Sequence, residues 1–598
     1  MDNSVLTPPL DAGTILQNKR KIKRKVIENN KEFIEKKIAI LSGSTVGEIA
    51  DILEIFLLNY GIKPVFWIGS YNRFYEDAVF NTGELIEFKP DIVYIHTSNK
   101  NIRFFPDPES SKERVSELLN AEIQQFFEVW EVISNKLNCV IIQNNFEMLP
   151  YRPFGNSEVY RQDGMLFYIN QLNDLIYDYA SNHSGFYVCD IAYEASVYGL
   201  HRWFDNAIWY AYKYPFALEA IPQVAYNLAN IIKSIFGKNK RSLVLDLDNT
   251  LWGGVIGDCG ADNILIGNDT PEGMAYSDFQ KYIKRISEIG VNLSICSKND
   301  PQNAMQGFLH PNSVLHKDDF ICSYINWENK DDNIKKIASD INTSYENMVF
   351  LDDNPAEREL VSNSIQQLCV PDLNLPEKYV ETLDSYGFFE VTSISDDDMK
   401  RNEYYKNNQK RSSEIKSYAT YEEYLLSLNM VCSIHDISVE NIERVTQLIN
   451  KTNQFNLTTK RYTQNEVQSF INDDTQIAFC ASLADKFGSN GIVSVLFAEK
   501  RDTRAFINLW VMSCRVFNRN LEYAMFHELL QRCAEAGITE IHGEYYPTVK
   551  NKYVEQLYEK LNFTLIEQDE HHSAWSLALP CTLDNTTLYM EVIRDGQD

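Results

Sequence analysis

The sequence predicts an α/β protein built from three successive α/β units. Two observations carry this. Short apolar runs of strand length alternate with longer stretches whose apolar residues recur at helical spacing. The pattern also restarts twice, once at Ser242-Leu243-Val244-Leu245 and once near residue 418. The 598 residues are ample for several domains.

Residues 1–37 are polar and carry the basic run Lys19-Arg20-Lys21-Ile22-Lys23-Arg24-Lys25. This run reads either as a solvated helix face or as a docking surface for an acidic partner. From 38 the strand runs IAILSGST, PVFWIGS, DIVYIHT and CVIIQNN, with helical stretches between them, predict a parallel sheet with crossover helices over 38–238. A second unit spans 239–375, with strands expected at 242–247, 291–296 and 347–351. Residues 376–417 read as a charged helical connector, and 418–598 as a third unit of helices and strands.

Composition excludes several functions. Lys and Arg total 56 against 84 Asp and Glu, a net charge of −28, which argues against a nucleic-acid binder. The 11 cysteines form no CxxC pair, so a reduced, cytoplasmic protein is expected. The opening residues carry no signal-peptide pattern and no apolar run approaches ~18 residues, so neither secretion nor a membrane partner is expected. Glycine is scarce, 25 of 598, against a usual ~7%. Four of those glycines fall in Asp246-Leu247-Asp248-Asn249-Thr250-Leu251-Trp252-Gly253-Gly254-Val255-Ile256-Gly257-Asp258-Cys259-Gly260.

That stretch follows an apolar strand. Two carboxylates two residues apart at a strand end repel one another, and a hard cation with oxygen ligands resolves the repulsion. An acidic turn capping the next helix is the alternative. Further along, strands end in Ile295-Cys296-Ser297-Lys298-Asn299-Asp300 and Phe350-Leu351-Asp352-Asp353-Asn354-Pro355. Asn326-Trp327-Glu328-Asn329-Lys330 stands between them.

The order DxDxT, strand-end Ser, Lys, then Asp-Asp resembles the motifs of the haloacid dehalogenase (HAD) phosphotransferases. The resemblance implies Asp246 as nucleophile and Asp248 as general acid and base. It implies Asn249, Thr250, Ser297, Lys298 and Lys330 around the phosphate. It implies Mg²⁺ on Asp246, Asp352, Asp353 and the Asp248 carbonyl.

The wording DLDNTLWGGVIG, ICSKND, INWENK and FLDDNPAERE, with Asn453-Gln454-Phe455-Asn456-Leu457-Thr458-Thr459 and Met512-Ser513-Cys514-Arg515, is similar to the FkbH-like family. This implies an SGNH-hydrolase-like domain, a HAD core and a GNAT-like acyltransferase domain. The family loads the glyceryl group of 1,3-bisphosphoglycerate onto the phosphopantetheine thiol of an acyl carrier protein. Cys296, Cys259 and Cys514 are the candidate acyl carriers, with Cys296 foremost. The alternative activity is a phosphatase on a small phosphorylated metabolite in surface-polysaccharide synthesis. A silent docking scaffold is a third class, against which the intact HAD motif set argues.

Two flanking regions depart from the family patterns. Ser44, in Ser42-Gly43-Ser44-Thr45, lacks the Asp-x-x-His base of an SGNH hydrolase, since Asp190, His201 and Asp205 have the wrong spacing. A non-catalytic domain is expected there. In the third unit Asn518 and Asn520 stand at the glycine positions of the cofactor loop, and Asn562-Phe563 replaces Gly-Phe. Asparagine tolerates a left-handed backbone but obstructs close approach of a pyrophosphate. A carrier-borne pantetheine arm lined by Asn453, Gln454, Thr458, Arg515, Arg519 and Asn551 is one reading. The other takes these residues as support for the fold.

Overall fold

The structure is a computed structural model. It describes residues 3–30, 33–392, 394, 399, 401–581 and 589–595. The chain divides into two compact units, Met1–Phe236 with Thr463–Glu466, and Gly237–Tyr462 with Val467–Asp598.

The first unit holds a parallel sheet of β1 (Ile34–Ser42), β2 (Ile62–Ile68), β3 (Ile92–His96), β4 (Val140–Asn144) and β5 (Phe186–Cys189), in the order β2-β1-β3-β4-β5. Alternation along the strands supplies two separate cores. Ile38 and Ile40 of β1 and Tyr94 of β3 pack with the helices Gly47–Asn59 and Ile221–Ile235 on one face. Ala39, Leu41, Val93 and Ile95 pack with the helices Lys112–Leu137 and Met165–Asn182 on the other. A sheet covered on both faces needs apolar side chains on both, which is why its strands read as continuous apolar runs.

The basic run lies on the helix Ala12–Asn29. Lys19 bridges Glu48 (2.8 Å) and Asp51 (2.7 Å), and Lys23 bridges Glu54 (2.6 Å). These two cations therefore serve an intramolecular helix contact, which narrows the docking reading to the remaining ones.

The second unit contains two sheets. The smaller has β6 (Ser242–Leu245), β7 (Asn292–Ser297), β8 (Phe320–Ile325) and β9 (Met348–Leu351), all parallel, ordered β8-β7-β6-β9. Strand β8, Phe-Ile-Cys-Ser-Tyr-Ile, was not among the expected strands. Leu243, Leu245, Leu293 and Ile295 face one core, and Val244, Cys296 and Phe350 face the other. Residues 376–389 correct the expectation of a connector: Tyr379, Leu383 and Phe388 lie in the first of these cores, because their apolar side chains close it. The remainder of 390–400 lies partly outside the described residues.

The larger sheet is mixed. Its strands are β10 (Met430–Asp436), β11 (Gln476–Asp485), β12 (Gly488–Arg501), β13 (Arg504–Met512), β14 (Glu540–Tyr545), β15 (Thr564–Gln568), β16 (Ser573–Ala578) and β17 (Met590–Arg594). Their order is β15-β16-β14-β13-β12-β11-β10-β17, and the β13/β14 pair at its middle is parallel. Among the described residues no helix is long and apolar enough to cross a membrane. The eleven cysteines form no disulfide among the described residues.

The asparagines at expected glycine positions adopt the glycine backbone. Asn518, Asn520 and Asn562 have φ of 62°, 64° and 64°. A side chain with a Cβ costs about 1–2 kcal/mol in that region, and asparagine visits it more readily than most residues. Asn562→Ala is expected to lower the melting temperature, and Asn562→Gly to hold or raise it. Thermal unfolding of the two variants beside the parent checks this, and equal behaviour of Ala and Gly would contradict it.

Candidate active site

The four strands of the small sheet end together, and their C-terminal edge carries every HAD motif. Asp246 follows β6 directly, Ser297 ends β7, Lys330 opens the helix Lys330–Asp340 after β8, and Asp352 and Asp353 follow β9. In a parallel α/β sheet this is the edge where ligands bind.

Three carboxylates converge there. Asp246, Asp352 and Asp353 each offer one oxygen, all within 4.8 Å of one another. Asp246 is 6% and Asp352 0% exposed. The Lys330 ammonium sits between two of them, 3.0 Å from Asp246 Oδ2 and 2.6 Å from Asp352 Oδ2. Burial alone would lower the Lys330 pKa. The charges of Asp246 and Asp352 outweigh it and hold the ammonium above its ordinary value. Burial, then the charge of Asp246, pushes Asp352 up to about 6. The same two causes raise Asp353. One lysine thus leaves the cluster short of positive charge. Asp246 Oδ1 is buried with no hydrogen-bond partner. An orphaned carboxylate oxygen facing two further carboxylates suits a hard divalent cation.

Asp248 has a different environment. Its Oδ1 accepts from Trp252 Nε1 at 2.9 Å and from the Ile256 N–H at 3.2 Å, and its Oδ2 accepts from Asn299 Nδ2 at 2.9 Å. Burial raises its pKa above the usual carboxylate range, against the Trp252 and Ile256 hydrogen bonds, which lower it. A carboxyl fixed by three donors is placed to pass a proton.

The loop between Asp248 and Gly254 explains the retained glycines. Asn249 is left-handed (φ 53°), and its side chain accepts from the Gly254 N–H at 2.8 Å. Gly254 has φ 93°, which a residue with a Cβ rarely adopts. A Cβ on Gly253 would meet the Tyr276 ring at 2.7 Å.

Several expected phosphate contacts have other partners. Thr250 is fully buried and its Oγ1 accepts from the Asp353 N–H at 3.2 Å, so it ties the first motif to the last. Asn249 is engaged within its own loop. Lys298 pairs with Glu357 at 2.7 Å. Ser297 is 2% exposed at the end of β7.

Cys296 requires correction as an acyl carrier. It is fully buried on the sheet face opposite Ile295, among Val244, Ile334 and Phe350, and its Sγ donates to the Lys330 carbonyl at 3.6 Å. Burial raises its thiol pKa far above that of a free cysteine, which removes the thiolate a carrier needs. Cys514 donates to the Asn342 carbonyl at 3.8 Å and is raised by burial. Cys259 is half-buried and packs beside Gly254.

The expected pantetheine groove also requires correction. Thr458 donates to the Asn508 carbonyl at 2.8 Å. Arg519 is 7% exposed and shares Asp485 with Arg411. Asn551 is fully buried and donates to the Asn456 and Tyr546 carbonyls, both at 2.9 Å. Asn453 accepts from Arg461, and Arg515 lies 4.7 Å over the Tyr404 ring. Only Gln454 of the six is exposed. Polar side chains buried in loops are consumed by backbone groups that would otherwise lack partners.

Sequence reasoning missed the residues that position the acids. Asn299 stood inside a quoted motif, and its place two residues after Ser297 was the available signal. Arg358 donates to the carbonyls of Asp352 (2.8 Å) and Asp353 (2.7 Å), and the Tyr379 hydroxyl donates to the Asn249 carbonyl at 3.0 Å. Arg358 stood inside the quoted FLDDNPAERE, six residues after Asp352, whereas Tyr379 sits far from the motifs in sequence, with no local pattern to mark it.

Residues 37–233 match the FkbH N-terminal domain. The N-terminal part of the protein BF1531 from Bacteroides fragilis, containing a phosphatase domain and complexed with Mg, aligns with 63% of this chain and 99% of its own. Its sequence identity is 27% and the TM-score 0.58. The ribosomal-protein-S18-alanine N-acetyltransferase from Escherichia coli aligns with 26% of this chain and 99% of its own, at 11% identity and TM-score 0.21. Ard1 from Thermoplasma volcanium aligns with 25% and 97%, at 16% identity and TM-score 0.20. No curated protein matches. The chain thus carries an FkbH N-terminal domain and a HAD-like phosphatase domain homologous to that of BF1531, with a carboxylate cluster suited to a divalent cation.

Trp252→Phe keeps the packing of the first loop but removes one hydrogen bond to Asp248. A hydrogen bond to a charged group is worth about 1.5–3 kcal/mol. Phosphate release from an alkyl phosphate is expected to fall by ~10-fold or more in kcat with KM little changed. A variant with parental kcat would remove Trp252 from the positioning of Asp248.

Proposed function

We propose that this chain is a Mg²⁺-dependent phosphatase that hydrolyses a small phosphorylated metabolite. The observation that carries the reading is the convergence of Asp246, Asp352 and the half-buried Asp353, with Lys330 between the first two, beside a separately positioned Asp248. The homology to a phosphatase domain complexed with Mg supports it.

Asp246, Asp352, Asp353 and the Asp248 carbonyl would hold the cation. Bound there, Mg²⁺ supplies positive charge that lets an anionic phosphate approach an anionic nucleophile. The chain's own residues do the rest. Asp246 attacks phosphorus and the bond to the leaving oxygen breaks, giving an aspartyl phosphate. Asp248 gives its proton to the leaving oxygen, and the alcohol departs. As a carboxylate, Asp248 then takes a proton from water, whose oxygen attacks phosphorus and frees Asp246. Trp252 and Asn299 fix the Asp248 carboxyl through both steps. Lys330 and Ser297 stand at the same edge to hold phosphate oxygens.

In this reading residues 38–238 are a non-catalytic SGNH-like domain, 239–375 the catalytic domain, and 418–598 a GNAT-like accessory domain. The finer activity, transfer of a glyceryl group from 1,3-bisphosphoglycerate to a carrier-protein thiol, rests on the family wording alone. The burial of Cys296, Arg519 and Asn551 weighs against it.

Asp246→Asn is expected to abolish phosphate release, measured as inorganic phosphate with Mg²⁺ present; full activity would overturn the nucleophile assignment. Asp248→Asn should cost ~100-fold or more on an alkyl phosphate and much less on p-nitrophenyl phosphate, whose leaving group needs little help from an acid. Equal losses on both would exclude Asp248 as the acid. Intact-mass analysis of a pantetheinylated carrier protein incubated with enzyme, Mg²⁺ and 1,3-bisphosphoglycerate separates the two activities. Phosphate release without an adduct is the expected result, and a glyceryl adduct would reinstate the transfer.

A further inference from the structure

A second cluster of polar groups lies in the first unit, away from the HAD motifs. Ser42 ends β1, His96 ends β3 and Asn144 ends β4, while Ser44 and Asn99 lie just past β1 and β3. The strand order β2-β1-β3-β4-β5 reverses direction between β1 and β3, the place where sheets of this kind hold ligands. Five side-chain atoms at this edge are buried without a hydrogen-bond partner: Ser42 Oγ, Ser44 Oγ, His96 Nε2, Asn99 Oδ1 and Asn144 Oδ1. All five residues are 3% exposed or less.

The loops that carry them are knit together. The Gly43 N–H donates to the His96 carbonyl at 2.8 Å, and Asn101 Nδ2 donates to the Gly43 carbonyl at 2.7 Å. Asn144 Nδ2 lies 3.2 Å from His96 Nδ1, and Asn99 Nδ2 donates to the Glu147 carbonyl at 3.2 Å. An aromatic-rich segment, residues 199–216, is tied to the same place. Thr45 donates through Oγ1 to the Tyr212 carbonyl (2.6 Å) and through its N–H to the Lys213 carbonyl (3.0 Å). The Phe216 ring meets the His96 ring edge-on at 5.9 Å.

A buried polar atom left unpaired costs about 1–3 kcal/mol. Five of them at one sheet edge, with Glu147 Oε1 beside Asn99 and Trp203 Nε1 in the 199–216 segment unpaired as well, mark a place where something else supplies the partners. Their chemistry limits what that is. The Tyr94 hydroxyl (2.9 Å) and the Asn144 amide donate to His96 Nδ1, so its proton sits on Nε2. Burial pushes the His96 pKa down to about 3, so the ring is neutral. The five atoms are then two hydroxyls, one N–H donor and two carbonyl acceptors, without a lysine or arginine among them. The buried Glu147 carboxyl, which accepts from the Asn99 N–H at 3.2 Å, disfavours an anion, whereas a molecule with several hydroxyl groups can both give and accept.

We propose that the C-terminal edge of the first sheet, between β1 and β3, is a binding site for a small uncharged polyhydroxylated molecule, held by Ser42, Ser44, His96, Asn99 and Asn144 and roofed by residues 199–216. The site is independent of the phosphatase reading and stands or falls without it. Saturation-transfer NMR of the full chain with glycerol, erythritol and myo-inositol tests it. At least one probe should give a saturable signal, and Ser44→Ala and Asn144→Leu should each weaken it by ~5-fold or more, the loss of about one hydrogen bond. No saturable signal from any probe overturns the proposal. So does a signal that both variants retain, because the molecule then binds elsewhere. If Asn144→Leu fails to fold, Ser44→Ala with an unchanged melting transition decides alone.

Discussion

The ion group of Lys330 with Asp246 and Asp352 is the constraint around which the catalytic domain is arranged. Three carboxylates with oxygens within 4.8 Å, two of them buried, repel one another. A single ammonium at 3.0 Å and 2.6 Å offsets part of that repulsion and leaves one Asp246 oxygen without a partner. The remainder of the edge serves this arrangement. Arg358 grips the carbonyls of both C-terminal aspartates, and Thr250 accepts from the Asp353 N–H, which ties the first motif to the last. The unmet negative charge is what makes the site receptive to a cation and then to a phosphate.

The two acids of the first motif lie two residues apart and have opposite surroundings. Asp246 faces charge, while Asp248 faces hydrogen-bond donors from Trp252, Ile256 and Asn299. This division of environments lets one short segment supply both a nucleophile and a group that passes a proton. Trp252 is spent on this task inside the core, where its ring packs edge-on against Phe308.

The thin supply of glycine is distributed with a physical logic. Gly253 and Gly254 remain where a ring approaches closely and where φ is 93°. In the large mixed sheet's domain, Asn518, Asn520 and Asn562 take the left-handed backbone instead. Asparagine satisfies the conformation but keeps a side chain, and Asn518 uses its own to accept from the Tyr553 hydroxyl at 3.0 Å.

The sequence by itself determined the α/β class, the restart of the pattern at 242, and the identity of the residues at the catalytic sheet edge. Those are local matters: apolar runs of strand length and carboxylates at their ends are visible over a few residues. It also stated the glycine substitutions, though not that each asparagine would adopt the same φ. Only the tertiary structure decided which of the motif residues meet. It sent Cys296 to the opposite face from Ile295, because neighbours on a strand point to opposite sides. It withdrew Thr458, Arg519 and Asn551 from any groove, because buried backbone carbonyls and carboxylates claimed their donors. It enlisted Asn299 on the Asp248 carboxyl, Arg358 on the carbonyls of Asp352 and Asp353, and Tyr379 on the Asn249 carbonyl. Partnering of buried polar groups depends on what the fold brings alongside, and that cannot be read along the chain.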